Sequence, residues 1–83
     1  MLNVVSVRHL HDYVLHLRFN NGVEGEVDLA EELDGEMFDP LRDKALFARV
    51  RVDPDIRTIA WPNGADLAPE FLLSLLRVST ASD

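Results

Sequence analysis

The sequence predicts an α+β fold: an antiparallel sheet in β-β-β-α-β-β-α order with helices packed on one face. Three observations carry that expectation. The first 29 residues alternate apolar and polar side chains with period two, as half-buried strands do. Two later stretches, opened by Pro40 and Pro69, space their apolar residues as helices do. Strands also come in runs instead of alternating one by one with helices. A chain of 83 residues has room for one core, so a single domain over 1–78 and a frayed tail over 79–83 are expected.

Val4, Ser6 and Arg8 alternate with Val5, Val7 and His9 in a first strand near residues 2–9. Tyr13, Leu15, Leu17 and Phe19 then share one parity, with His16 and Arg18 on the other. After Asn20-Asn21-Gly22, a third strand alternates Val23, Gly25, Val27 and Leu29 with Glu24, Glu26 and Asp28. Side-chain parity sets the register of this hairpin, because a slip of one residue turns a strand over. A two-residue loop would oppose Phe19 to Glu24 and mix the faces. A three-residue loop opposes Phe19 to Val23, Leu15 to Val27 and Tyr13 to Leu29, and gathers the apolar residues on one side. It also sets Arg18 against Glu24 and His16 against Glu26 on the wet side. Such a loop ends in a left-handed residue, and Gly22 stands there.

Asp39 before Pro40 predicts a helix start with Asp39 as the cap, and Leu41, Ala45 and Ala48 predict a short helix over 40–48. Val50 and Val52 mark a fourth strand, Asp53-Pro54-Asp55 a turn, and Ile59 and Trp61 a fifth strand. Pro69 opens the last helix, with Glu70 near its positive end. Phe71, Leu72, Leu75, Leu76 and Val78 form its apolar stripe, which leaves Leu73 outside and available for a symmetric dimer contact.

With 47% hydrophobic and 28% charged residues, the composition is that of a globular chain. The absence of cysteine excludes disulfides and thiolate metal sites and fits a reducing, cytoplasmic setting. No apolar run approaches the roughly 18 residues of a membrane span, and no signal peptide is evident. His9, His11 and His16 have no carboxylate at a diagnostic metal spacing. The four glycines do not form a phosphate loop, and residues 31–36 lack an EF-hand ligand pattern. Nucleophile motifs are absent too. No enzyme activity, cofactor or metal is therefore expected.

The formal net charge is −7. Between Glu24 and Asp39 stand eight carboxylates and no Lys or Arg, whereas five of the eight basic residues fall between Arg42 and Arg57. This distribution predicts solvated charged faces, no direct nucleic-acid contact, and a partner-facing acidic surface of Glu24, Glu26, Glu31, Glu32, Asp34 and Glu36. The expected function is a non-catalytic interaction module whose partner is a small basic protein. The alternative is a ligand or sensor domain with the turn of Trp61, Pro62, Asn63, Gly64 and Asp66 as one wall of a pocket. Trp61 also fits a packing role beside that turn.

The run from Thr58 to Leu72, with Trp61-Pro62-Asn63-Gly64-Ala65-Asp66 at its centre, resembles the closing signature of domain-of-unknown-function family 2442, a group of small bacterial proteins. Leu17–Val23 and Val27-Asp28-Leu29 resemble that family's hairpin, so the likeness spans nearly the whole chain. The resemblance implies an α+β fold, a bacterial cytoplasmic protein and no established activity. Some members are joined to a helix-turn-helix DNA-binding domain. Others resemble partners of a second small protein in gene pairs reminiscent of toxin–antitoxin modules, which implies an antitoxin-like or regulatory role. The chain's end soon after the signature gives the expectation that no DNA-binding domain is attached. Where relatives often carry a capping residue before the proline, this chain has Ala68.

Overall fold

The computed structural model describes residues 1–76. Its order is β1 (Val4–His11), β2 (Val14–Phe19), β3 (Glu24–Asp28), 3-10 turns at Ala30–Glu32 and Asp39–Arg42, α1 (Lys44–Phe47), β4 (Arg51–Asp53), β5 (Thr58–Ala60) and α2 (Pro69–Leu75). The α+β class and the antiparallel pairing are as the sequence predicts. The five strands divide into a three-stranded sheet in the order β1-β2-β3 and a two-stranded sheet of β4 and β5. Two register shifts interrupt β1, between Val4 and Ser6 and between His9 and His11, and bulges of this kind end regular pairing. The second sheet therefore meets the start of β1 through one bond, from the Val4 N–H to the Arg57 carbonyl at 3.0 Å.

The β2–β3 hairpin has the three-residue loop that parity demands. Leu15 faces Val27, Arg18 faces Glu24 and His16 faces Glu26, and the Phe19 N–H donates to the Val23 carbonyl at 2.8 Å. Gly22 has φ +88°. Leu15, Leu17, Phe19, Val27 and Leu29 consequently form one buried face, which continues through Leu33, Leu41, Phe47, Ile59 and Trp61. On the wet side the closest side-chain contact runs diagonally, from the His16 Nε2 to the Glu24 carboxylate at 3.2 Å.

Both helices depart from expectation. The helix over 40–48 is a 3-10 turn and a separate α1, divided at Asp43, whose extended backbone (ψ 113°) breaks the chain of helical bonds. Asp43, not Asp39, is the cap: its carboxylate accepts the Ala45 N–H at 2.9 Å, while Asp39 makes no capping bond. Leu41 and Phe47 are the buried residues here, and Ala45 and Ala48 are exposed. In α2, Leu72 is fully buried while Leu73, Leu75 and Leu76 pack against the core, and Phe71 is 38% exposed. The stripe is thus turned by about one residue, and Leu73 is not the free side chain on which the dimer expectation rested. Ala68 makes no side-chain cap, as its methyl requires. Val78 and the tail over 79–83 lie outside the described residues.

Candidate functional site

Two regions carry the residues singled out by sequence. The first is the turn after β5. Trp61 is 1% exposed, and its indole N–H donates to the Phe47 carbonyl at 2.9 Å. Its ring packs between Phe47 at 5.7 Å and Phe38 at 6.5 Å, centroid to centroid. The turn is closed by bonds from the Trp61 N–H to the Ala65 carbonyl and from the Gly64 N–H to the Trp61 carbonyl, both 2.9 Å. Gly64 holds φ +92°. Asn63 accepts the Ala65 N–H at 3.1 Å and donates to the Met37 carbonyl at 2.9 Å, tying the turn to the segment before the 3-10 turn. Asp66 bridges back to Ala60. Pro62 and Asp66 are exposed, but Trp61 presents no open surface. Each of Trp61, Asn63 and Gly64 is accounted for by a bond that shapes the chain.

The second region is the acidic border. Glu24, Glu26 and Asp28 are exposed on the outer face of β3, and Glu31 and Glu32 follow on the 3-10 turn. Asp28, Glu31 and Glu32 line a cleft of about 290 Å³ together with Ala30 and Leu75. Arg42 neutralises part of the surface: its guanidinium lies 2.8 Å from Asp34 and 3.5 Å from Asp39 and also donates to the Leu33 carbonyl. Among the described residues, Glu26, Glu31, Glu32 and Glu36 have no cation within 4 Å. By the same measure Arg8, Arg18, Arg49 and Arg57 have no carboxylate. The fold keeps most of these groups apart, since β1 and β2 lie between acidic β3 and the β4–β5 hairpin with its flanking Arg49 and Arg57.

A third cluster is not evident in the sequence. Asp12, with φ +42° in the β1–β2 turn, lies 3.0 Å from the Lys44 ammonium at the start of α1 and 3.3 Å from His11. Lys44, with His11 as a lesser partner, holds the Asp12 carboxyl below its ordinary range, and Asp12 raises Lys44 in return. The Tyr13 hydroxyl donates to the Arg42 carbonyl, and His9 and Tyr13 stack edge-on against Phe47. Asp12-Tyr13 reads as a turn, but no local pattern announces a partner 32 positions away. Among the described residues, no three His, Asp or Glu side chains converge as metal ligands, and no helix is long and apolar enough to cross a membrane.

A small α+β domain with a buried tryptophan turn and an acidic sheet border is thus defined. The chain belongs to the family described as "Protein of unknown function (DUF2442)", which it matches over residues 4–77. No curated protein matches it. Its fold is shared with the crystal structure of the "Putative DNA Binding Protein NE0471" from Nitrosomonas europaea ATCC 19718, with TM-score 0.80 and 20% identity over 98% of this chain and 52% of that one. The chain spans about half the length of that protein. This likeness corrects one expectation. Net acidity alone argued against nucleic acid, yet the fold occurs in a protein described as DNA-binding, so an overall charge of −7 does not exclude nucleic acid as a partner. A summed charge is a poor guide where Arg8, Arg49 and Arg57 lie off the acidic strand β3.

Proposed function

We propose that the domain is a non-catalytic protein-interaction module whose acidic border engages a basic protein segment. The observation that carries this reading is the unneutralised set of Glu26, Glu31, Glu32 and Glu36 in a chain whose Arg8, Arg49 and Arg57 lie off β3 and its following turn with no carboxylate within 4 Å among the described residues. Cations are available, and the fold does not spend them on this surface. Desolvating such carboxylates against a basic partner steers association and selects the partner's charge. Affinity purification from the native cell, using wild type and a Glu31→Lys/Glu32→Lys/Glu36→Lys variant, tests it. A basic protein retained by wild type and lost by the variant supports the reading; identical retention overturns it.

A second reading takes up the description of the Nitrosomonas protein. DNA contact by this chain would fall to Arg8 and Arg18 on the open sheet face and to Arg49 and Arg57 beside the small hairpin. Fluorescence anisotropy with a labelled duplex across a salt series separates the two. Binding that falls steeply with salt and weakens in Arg8→Ala/Arg18→Ala supports DNA.

A further inference from the structure

The three-stranded sheet has two borders, and they differ. The β1 border is bulged twice and meets the β4–β5 turn at Arg57. The β3 border is regular over five paired positions and, among the described residues, pairs only with β2. Hydrogen-bond alternation fixes which backbone groups face outward. Phe19 and Val23 are bonded at 2.8 Å, and the Leu29 N–H reaches the Tyr13 carbonyl at 2.9 Å. Gly25 and Val27, of the same parity, also turn their N–H and C=O toward β2. The N–H and C=O of Glu24, Glu26 and Asp28 point away from the sheet, and none has a backbone partner among the described residues. No proline or bulge interrupts this border; its protection is the row of carboxylates on Glu24, Glu26 and Asp28, which repels like-charged strands.

We propose that β3 accepts one further antiparallel strand from a partner protein, an extended segment with Lys or Arg at alternate positions. The inference rests on the interaction-module reading and specifies its mode. An added strand lies about 4.8 Å away, and its residues opposite Glu24, Glu26 and Asp28 share their face at Cβ distances of about 5 Å. Charge chooses the occupant. A second copy of this chain would set these carboxylates against their own kind, which destabilises a directly opposed pair, whereas lysine or arginine meets them favourably. The outward backbone groups supply the common part of the contact and Glu26 the larger share of its selectivity, since Glu24 already meets His16 at 3.2 Å and Asp28 accepts the Ala30 N–H at 3.0 Å.

The test is NMR titration of the full chain with an acetylated, amidated seven-residue peptide alternating Lys and Thr. Two versions of it are N-methylated, one at the lysines and one at the threonines. In antiparallel pairing the lysines opposite the carboxylates turn their N–H groups toward β3. Methylating them therefore weakens binding at least tenfold, while methylating the threonines does not. Bound peptide slows amide exchange at Glu24, Glu26 and Asp28, and Glu26→Pro, which removes one outward N–H and no bond to β2, weakens binding to a similar degree. Equal binding of all three peptides overturns strand addition and leaves the acidic-surface reading standing. Failure of every peptide to bind at millimolar concentration removes both. Equal binding of a Glu-Thr peptide overturns the charge selection. Slow exchange of the three amides in the free chain overturns the proposal, because the border would already be covered.

Discussion

Gly22 offers a test in which sign, not only size, carries the information. The loop is held by the Gly22 N–H on the Phe19 carbonyl at 3.1 Å, the Phe19 N–H on the Val23 carbonyl at 2.8 Å and the Val23 N–H on the Asn21 side chain at 3.0 Å. All three need φ +88° at position 22. A Cβ built there meets nothing within 4 Å, so collision contributes nothing and the cost of a side chain is that of the left-handed backbone. For an L-residue that is roughly 1–2 kcal/mol, and a β-branched one lies at the upper end. Gly22→Val should lower the melting temperature by about 4–16 °C, at about 4–8 °C per kcal/mol for a domain of this size. A D-alanine at the same position prefers positive φ and narrows the unfolded ensemble, so it should raise stability by about 0.4–1 kcal/mol. The chain is short enough for chemical synthesis, and thermal unfolding of wild type, Gly22→Val, Gly22→Ala and the D-alanine protein reads the result. D-alanine destabilising as much as L-alanine, or Gly22→Val costing nothing, would refute the account of this loop.

Other perturbations separate the roles that sequence and structure assign. Asp43→Ala should cost about 0.5–2 kcal/mol through loss of the cap on Ala45, whereas Asp39→Ala should stay within about 0.5 kcal/mol; equal costs in urea titration would contradict the capping geometry. Trp61→Phe removes the indole donor from the Phe47 carbonyl, which keeps the Val50 N–H at 3.3 Å, and leaves a fully buried site underfilled; it should cost about 1–3 kcal/mol and reduce near-UV circular dichroism, and a neutral result would place the role of Trp61 outside both the bond and its packing. The Asp12–Lys44 pair gives a pH dependence. Asp12 is lowered from 3.8, so its contribution is present above that value and fades as pH falls through the folded pKa; Lys44 is raised from 10.5, so its contribution is present below that value and fades as pH rises through its own. The gap in melting temperature between wild type and Lys44→Met should therefore be widest at intermediate pH and narrow at both ends, and a gap independent of pH would place Lys44's role outside the ion pair.

The hairpin was legible because its information is local. Parity of Leu15, Leu17, Phe19, Val27 and Leu29, together with one glycine, leaves a single loop length that keeps the core dry. The division of the sheet was not legible, because the bulges of β1 lie in an apolar run whose two faces look alike in sequence, and β-branched Val4, Val5 and Val7 suit either face. The first helix was misplaced for a physical reason as well. Asp39-Pro40 and Asp43-Lys44 are both plausible starts, and the choice falls to Phe47, which Trp61, Tyr13 and His9 surround from distant parts of the chain. For α2 the leucines at 72, 73, 75 and 76 are nearly interchangeable on a helical wheel. Only the position of the helix against the core decides that Phe71 faces water.

The Trp61–Asp66 turn shows how a specific sequence signature can be occupied wholly by folding. Tryptophan is required where an indole N–H must reach the Phe47 carbonyl from within the core, asparagine where one amide must both accept from Ala65 and donate to Met37, and glycine where φ is +92°. A residue spent on such a bond is not free to bind something else without releasing it. The outer face of β3 differs in this respect. Glu26 has no cation within 4 Å among the described residues, its N–H and C=O face away from β2, and replacing its carboxylate removes no core contact. The turn should accordingly respond to mutation through stability and the β3 border through binding, so that Trp61→Phe and Glu26→Gln move different observables: the first shifts the unfolding midpoint, and the second leaves it within about 0.5 kcal/mol while weakening a basic partner.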